Sequence, residues 1–180
     1  MIMKALEWLR NIVGAALLVC GGVVALCIIG GLLWVPEFLG RYMMAPCWLL
    51  TAPLSLAYAL LALPYGASWE TRLKRSMVMK LLLIPFFVAN FILGVAGAAI
   101  FFVGGLLFTV IAAVIAFFTL LATSVDVIRA LTLMRRAGRM TTGRMACHIL
   151  LQLIFCADVI DAWVLWANRE RYAAPEITGV

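Results

Sequence analysis

The chain is a succession of long apolar runs separated by short polar segments. Five stretches of about 20 residues carry few charges, which is the length a helix needs to cross a hydrocarbon core of roughly 30 Å. The spacing predicts membrane helices over about 12–35, 44–63, 80–101, 106–125 and 147–166. The third and fourth come from one apolar run, Leu81–Ala122, of 42 residues. A single helix of that length would span about 63 Å, twice the bilayer core. The run is therefore read as two helices with a turn near Phe102–Gly105. Alternation over about ten residues at a time, the signature of a membrane β-barrel, is absent. The expected fold is an all-α integral membrane protein, one domain folded as a five-helix transmembrane bundle.

The boundaries carry their own signals. Residues 1–11 form a short amphipathic lead-in containing Lys4, Glu7, Trp8 and Arg10. The first run holds Gly14, Cys20, Gly21, Gly22, Cys27, Gly30 and Gly31, small residues that let helix backbones approach closely. At about 24 residues it exceeds the roughly 7–15 of a signal-peptide core, so a retained helix is expected. Pro36–Tyr42 reads as a loop, with Trp34, Tyr42 and Trp48 around it as an interfacial belt. Pro46 suits the first turn of the second helix, Pro53 should bend it, and Pro64 and Gly66 should end it. The segments 64–79 and 126–146 are the basic loops, and the tail from Asn168, with Pro175 and Gly179, is expected to fray.

Composition removes the alternative of a soluble domain. The chain is 67% hydrophobic and 12% charged, against about half and a quarter in soluble proteins. The formal charge of +6 is read as Lys and Arg flanking membrane helices, and nucleic acid is not an expected partner. With five crossings, the N-terminus and the two basic loops share one side, which holds 11 of the 14 Lys and Arg. The other side holds Arg41, Arg169 and Arg171. The positive-inside rule then places the N-terminus in the cytoplasm and the C-terminus outside. Were Asp158 and Asp161 to stop the last helix from crossing, it would lie along the inner face or re-enter, with a cytoplasmic C-terminus.

Candidate chemistry concentrates in that last run, Cys147–Trp166, which carries His148, Gln152, Asp158 and Asp161. An ionised Asp at the bilayer centre costs about 2.5–3.5 kcal/mol. Asp158 lies about 16 Å into the run at the helical rise, so near the midplane. On a wheel of about 100° per residue the polar side chains share one half, opposite Ile149 and Val159. Depth matching offers Asn90, Ser55 and Tyr58 as partners for Asp158. It also brings Asp126 and His148 together at the cytoplasmic boundary, with Arg129 one turn beyond Asp126. These groups are either interhelical glue, worth about 0.6–2 kcal/mol per bond in membranes, or an ion or proton site, because paired carboxylates can share a proton or a cation. The five cysteines, without a Cys-x-x-Cys, read as small hydrophobes. No metal site, cofactor or catalytic residue is expected.

The segment from Thr123 to about residue 165 resembles the C-terminal part of small uncharacterised membrane proteins of gut Firmicutes. The likeness rests on Thr123-Ser124, the Arg-Arg-Ala-Gly loop at 135–138 and the His148–Asp161 stretch. It implies a bacterial source and the plasma membrane, and nothing catalytic. The expected function is a small membrane subunit, oligomeric or partnered, that forms or regulates an ion or small-solute path. The alternative is a non-transporting accessory or scaffold protein, and an intramembrane enzyme stands third. Partners are the lipid bilayer and either a second copy of the chain or another membrane protein. A path predicts water along the Asp158 face, whereas a scaffold predicts that face packed and dry.

Overall fold

The computed structural model describes residues 2–31, 42–64, 66–100, 104–154 and 156–173. Residues 36–41 of the loop expected over Pro36–Tyr42, Trp34 and the tail beyond 173 lie outside the described residues. So do residues 101–103; of the turn expected near Phe102–Gly105, Gly104 and Gly105 are described and already belong to the fourth long helix. The described residues are mostly helical and contain no strand. The helices are α1 (Ile2–Gly31), α2 (Met44–Ala62), α3 (Trp69–Ile100), α4 (Gly104–Arg136), α5 (Thr142–Leu151), α6 (Ala157–Ala167) and α7 (Arg169–Ala173).

Four of these, α1 to α4, are long and apolar enough to cross a membrane. They run further than the apolar pattern suggests. The amphipathic lead-in is the first turns of α1, and most of the first basic loop is the start of α3. The apolar runs therefore mark the middle of longer helices rather than their ends.

The helix expected over 147–166 is not continuous. α5 and α6 have 10 and 11 residues, each about half of what a spanning helix needs. The α5 chain stops at Gln152, turns through Leu153 and Ile154, whose amides reach the carbonyls of Leu150 and Leu151, and restarts after Cys156. Cys156 has φ 70° and ψ −41°, a region side chains rarely occupy, at a cost of about 1–3 kcal/mol. The two helices fold back on each other, since His148 and Asp161, 13 positions apart, are in hydrogen-bond contact.

The other boundaries follow from local chemistry. Gly138, with φ 71°, ends α4. Its amide bonds to the Arg135 carbonyl, and the Arg139 amide bonds to Met134. This is the paired closure that glycine just past a helix end permits. Thr141 then caps α5 by accepting from the Arg144 amide at 3.4 Å.

The helices pack with α3 along α4, α1 across α2 and α3, and α2 against α4; α6 lies on α3. On α1 the buried stripe is Arg10, Gly14, Leu17, Gly21 and Val24, alternating steps of four and three as in coiled coils. A Cβ on Gly21 would lie 3.3 Å from both Leu83 and Phe86, so that glycine sets how closely α1 meets α3. One apolar cluster, with Leu17, Val24, Trp48, Leu83, Phe86 and Ile115, fills the four-helix half of the bundle. A second joins Leu73 of α3, Leu131 and Met134 of α4, and Ala162 and Leu165 of α6 at the basic end. A polar layer separates them.

Trp48 is a measurable anchor of the first cluster. Its ring stacks on Phe108 at 5.0 Å, and its indole N–H donates to Asn90 Oδ1 at 2.8 Å. Trp48→Phe keeps most of the ring packing but leaves that buried acceptor without its donor. The expected loss is about 1–3 kcal/mol, read from denaturant unfolding in detergent micelles. A loss under about 0.5 kcal/mol would show that the hydrogen bond contributes nothing net.

Candidate functional site

The polar layer contains two connected sets of charges. The first joins three helices at one carboxylate. Asp126 of α4 receives Arg10 of α1 on Oδ2 and Arg72 of α3 on Oδ1 at 3.2 Å. Arg72 also donates to the Ala62 carbonyl at the end of α2, at 3.2 Å. The Arg10 guanidinium lies 4.6 Å from the centroid of the Tyr58 ring, a cation–π arrangement. Arg10, Arg72 and Asp126 are all buried.

The second set is held by the α5–α6 hairpin. Lys80 Nζ of α3 donates to Asp158 Oδ2 at 2.7 Å, Gln152 Oε1 at 2.6 Å and Ser124 Oγ at 3.1 Å. The Gln152 amide nitrogen donates to Asp161 Oδ2 at 2.6 Å. Asp161 Oδ1 meets His148 Nδ1 at 2.6 Å. The Ser124 hydroxyl donates to the Gln152 carbonyl at 3.3 Å, tying the hairpin to α4. Exposures are 0% for Lys80 and Gln152, 1% for Asp158 and 4% for Asp161, so the centre of the set is buried. His148, at 17% side-chain exposure, is its outermost member. Asp158 Oδ1 is buried and accepts no hydrogen bond from the described residues.

Three cations, Arg10, Arg72 and Lys80, thus face three carboxylates, Asp126, Asp158 and Asp161. The equality matters, because an uncompensated buried charge costs several kcal/mol. Asp158 also falls in the first turn of α6, where the positive end of the helix dipole favours a carboxylate.

The structure brings His148, Gln152, Asp158 and Asp161 together, as a hairpin rather than along one helical face. The partners differ from those that depth matching offers. Asp158 meets Lys80, not Asn90, because the hairpin does not carry it deep into the bundle. Lys80 sits about 15 Å from Asn90 along α3. Asn90 instead takes the Trp48 indole and donates to the Ala112 carbonyl at 2.9 Å. Ser55 donates to Thr119 at 3.1 Å. Asp126 meets Arg10 and Arg72 rather than His148, and Arg129 donates to the Leu63 carbonyl at 3.1 Å. Cys147 and Cys156 are exposed thiols, while Cys27 is buried.

Sequence reasoning misses Arg10, Arg72 and Lys80 by counting them as flanking charges. A signal for two of them was present. Arg72, Ser76 and Lys80 recur every four residues, a polar stripe on one face of a helix that starts at Trp69. All three are buried, and Ser76 donates to the Thr123 carbonyl at 2.6 Å. Thr119, Thr123 and Asp126 make the facing stripe on α4.

These features define a class: an all-helical bundle of four long apolar helices, closed at its basic end by a short helical hairpin over a charge-balanced polar layer. Residues 60–171 match a family of unknown function, DUF6652, and the chain belongs to that family. The match takes in every residue of the Lys80 set and leaves out all of α1, with Arg10, and most of α2. No curated protein and no solved structure matches the chain.

Proposed function

We propose that this protein is a non-transporting accessory or scaffold protein of a bacterial plasma membrane. Four helices cross, and α5–α6 re-enters from the cytoplasmic side without crossing. The observation that carries this reading is the dryness of the Lys80–Gln152–Asp158–Asp161 cluster, whose members are at most 4% exposed. A conducting path would need water beside those carboxylates. Two grooves between the helices, one on α3 and α4 and one on α1 and α3, are lined by neither Lys80, Asp158 nor Asp161. With four crossings, Arg169 and Arg171 join the basic side. Thirteen of the 14 Lys and Arg then lie there, and Arg41 alone falls between α1 and α2. That distribution fits the positive-inside rule better than five crossings do.

Two measurements test the reading. Ser124→Cys, in a chain whose five cysteines are replaced by alanine, puts a probe beside Lys80. It should resist membrane-impermeant thiol reagents from either side of sealed vesicles. A C-terminal green fluorescent protein fusion should fluoresce, and an alkaline phosphatase fusion should be inactive. Rapid labelling of the thiol introduced at position 124 would sink the scaffold, and an active phosphatase would sink the four-crossing arrangement.

A second reading keeps the ion or small-solute path. It is favoured by the unbroken chain of hydrogen bonds from half-buried His148 through Asp161, Gln152 and Lys80 to Asp158, whose Oδ1 lacks a donor among the described residues. A second copy or a partner would complete such a path. It predicts proton flux into proteoliposomes that Asp158→Asn abolishes.

A further inference from the structure

We infer that the α5–α6 hairpin is a pH-sensitive latch: one proton, held where His148 meets Asp161, balances the hairpin's buried charges, and its loss at alkaline pH frees α6 from α3. The latch goes beyond either reading of the function above and works the same way under both.

Counted over both sets, the buried cations and carboxylates are equal in number. Counted set by set, they are not. Asp126 faces both Arg10 and Arg72, so the first set carries an excess positive charge. In the second set Lys80 pairs with Asp158, and Asp161 is reached by the neutral amide of Gln152. That set carries an excess negative charge. Arg72 and Lys80 stand eight positions apart on α3, about 12 Å along the helix, so neither set lends its charge to the other through a contact. An excess charge on buried groups is costly unless it is paired.

The geometry shows where the pairing is completed. Gln152 is fully committed, accepting from Lys80 at 2.6 Å and donating to Asp161 Oδ2 at 2.6 Å. It joins the two carboxylates' surroundings and brings no charge. Asp161 Oδ1 lies 2.6 Å from His148 Nδ1. An imidazolium there supplies the missing positive charge and a short, charge-assisted hydrogen bond. A neutral imidazole supplies only the bond. The other groups around His148 do not take its place. From α6 it is faced by Asp161, with Asp158 behind, and from α3 by Lys80 across Gln152. On α4, Ser124 is neutral and Arg135 donates to Thr142 Oγ1 at 2.8 Å. On α5, Arg144 is exposed one turn earlier.

Losing the proton loosens the hairpin because little else holds it. No residue of α5 is buried, and α6 buries Asp158, Asp161, Ala162 and Leu165, so half of the buried positions are the carboxylates themselves. The hold is complete while the proton is bound and weakens as rising pH removes it.

The test follows a thiol at position 162 in a chain whose five cysteines are replaced by alanine. Ala162→Cys reports the release of α6, because Ala162 is fully buried. Gly143→Cys, exposed and with open space around it, corrects for the pH dependence of the thiol reaction. In detergent micelles the ratio of the two labelling rates should rise about tenfold between about pH 6 and pH 9, and by no more than about tenfold per pH unit, since one proton is involved. Asp161→Asn is the decisive variant. It removes the excess carboxylate, yet its amide can accept from Gln152 and donate to a neutral His148. The thiol at 162 should then stay protected across the whole pH range. Were the His148–Asp161 contact an ordinary hydrogen-bonded prop, the same variant would expose that thiol at the acid end. His148→Gln keeps a donor for Asp161 without the charge, and should label at the alkaline rate throughout. A ratio that is flat with pH in the parent chain would overturn the latch. So would an Asp161→Asn chain that labels fast at the acid end, or either variant retaining the parent's rise.

Discussion

Lys80→Met will destabilise the bundle by about 3–5 kcal/mol, the cost of leaving one member of a buried ion pair without its partner. Among the described residues, Lys80 is the only cation that contacts the Asp158 carboxylate, at 2.7 Å. It also donates to Gln152, which in turn holds Asp161. Removing it leaves Asp158, 1% exposed, close to a second carboxylate and far from water. The magnitude decides between descriptions of the cluster. Ordinary interhelical hydrogen bonds in membranes average about 0.6 kcal/mol, so a loss near that value would mean Asp158 is not held as a charge. The double variant Lys80→Met/Asp158→Leu should recover most of the loss, because apolar groups of similar volume often replace a buried pair without penalty. The difference between single and double variants isolates the pairwise interaction. Unfolding in detergent micelles gives the energies. A local readout locates the damage. Ala162 is fully buried against the second apolar cluster, so a thiol introduced there by Ala162→Cys should turn reactive in the Lys80→Met background as the hairpin lifts. A loss below about 1 kcal/mol with that thiol still protected would show that the hairpin does not depend on the pair.

The apolar pattern made the four long helices legible, because hydrocarbon burial demands continuous runs. Pro46 and Pro64 likewise framed α2. The polar residues of the last run stood out as one group because each is costly in lipid. Their geometry was not legible. Between Cys147 and Cys156 no glycine or proline announces a break, and a strained Cys156 serves as the helix start. What breaks the helix is tertiary. Folding back lets Gln152, Asp158 and Asp161 satisfy one another around Lys80 and Ser124, which a straight helix spreads over about 14 Å. That outcome depends on a cation placed 72 residues before Gln152 in the chain, and no local pattern contains it. Lys80 was hidden for a related reason. It borders a basic segment, where a flanking charge is the ordinary expectation, and only the four-residue spacing from Arg72 and Ser76 marks it as inward-facing. The Asn90 pairing failed because equal depth along two straight helices is informative only if both are straight.

Asp126 will prove the most sensitive position of the first set, and removing it will cost more than removing either arginine bound to it. Two guanidiniums, from Arg10 and Arg72, share its two oxygens. Deleting one arginine leaves a neutral one-to-one pair. Deleting the carboxylate leaves two buried like charges at short range, which repel each other as well as losing their counterion. Asp126→Ala should therefore cost about 3–5 kcal/mol or more, while Arg10→Met and Arg72→Met should each fall below it. The loss should be felt first at α1. Arg10 is the buried cation that ties α1 to α4, and its guanidinium also covers the Tyr58 ring of α2. Arg72 retains its bond to the Ala62 carbonyl in any case. Arg10→Lys will not substitute, because a lysine ammonium lacks the planar fork that can bond a carboxylate while stacking on an aromatic face. The order of the three variants can be measured by unfolding in detergent, with protease sensitivity of the α1 N-terminal turns as the local readout. If Arg10→Met proves as damaging as Asp126→Ala, the carboxylate is not the hub, and Arg10 holds α1 through its packing on Tyr58 instead.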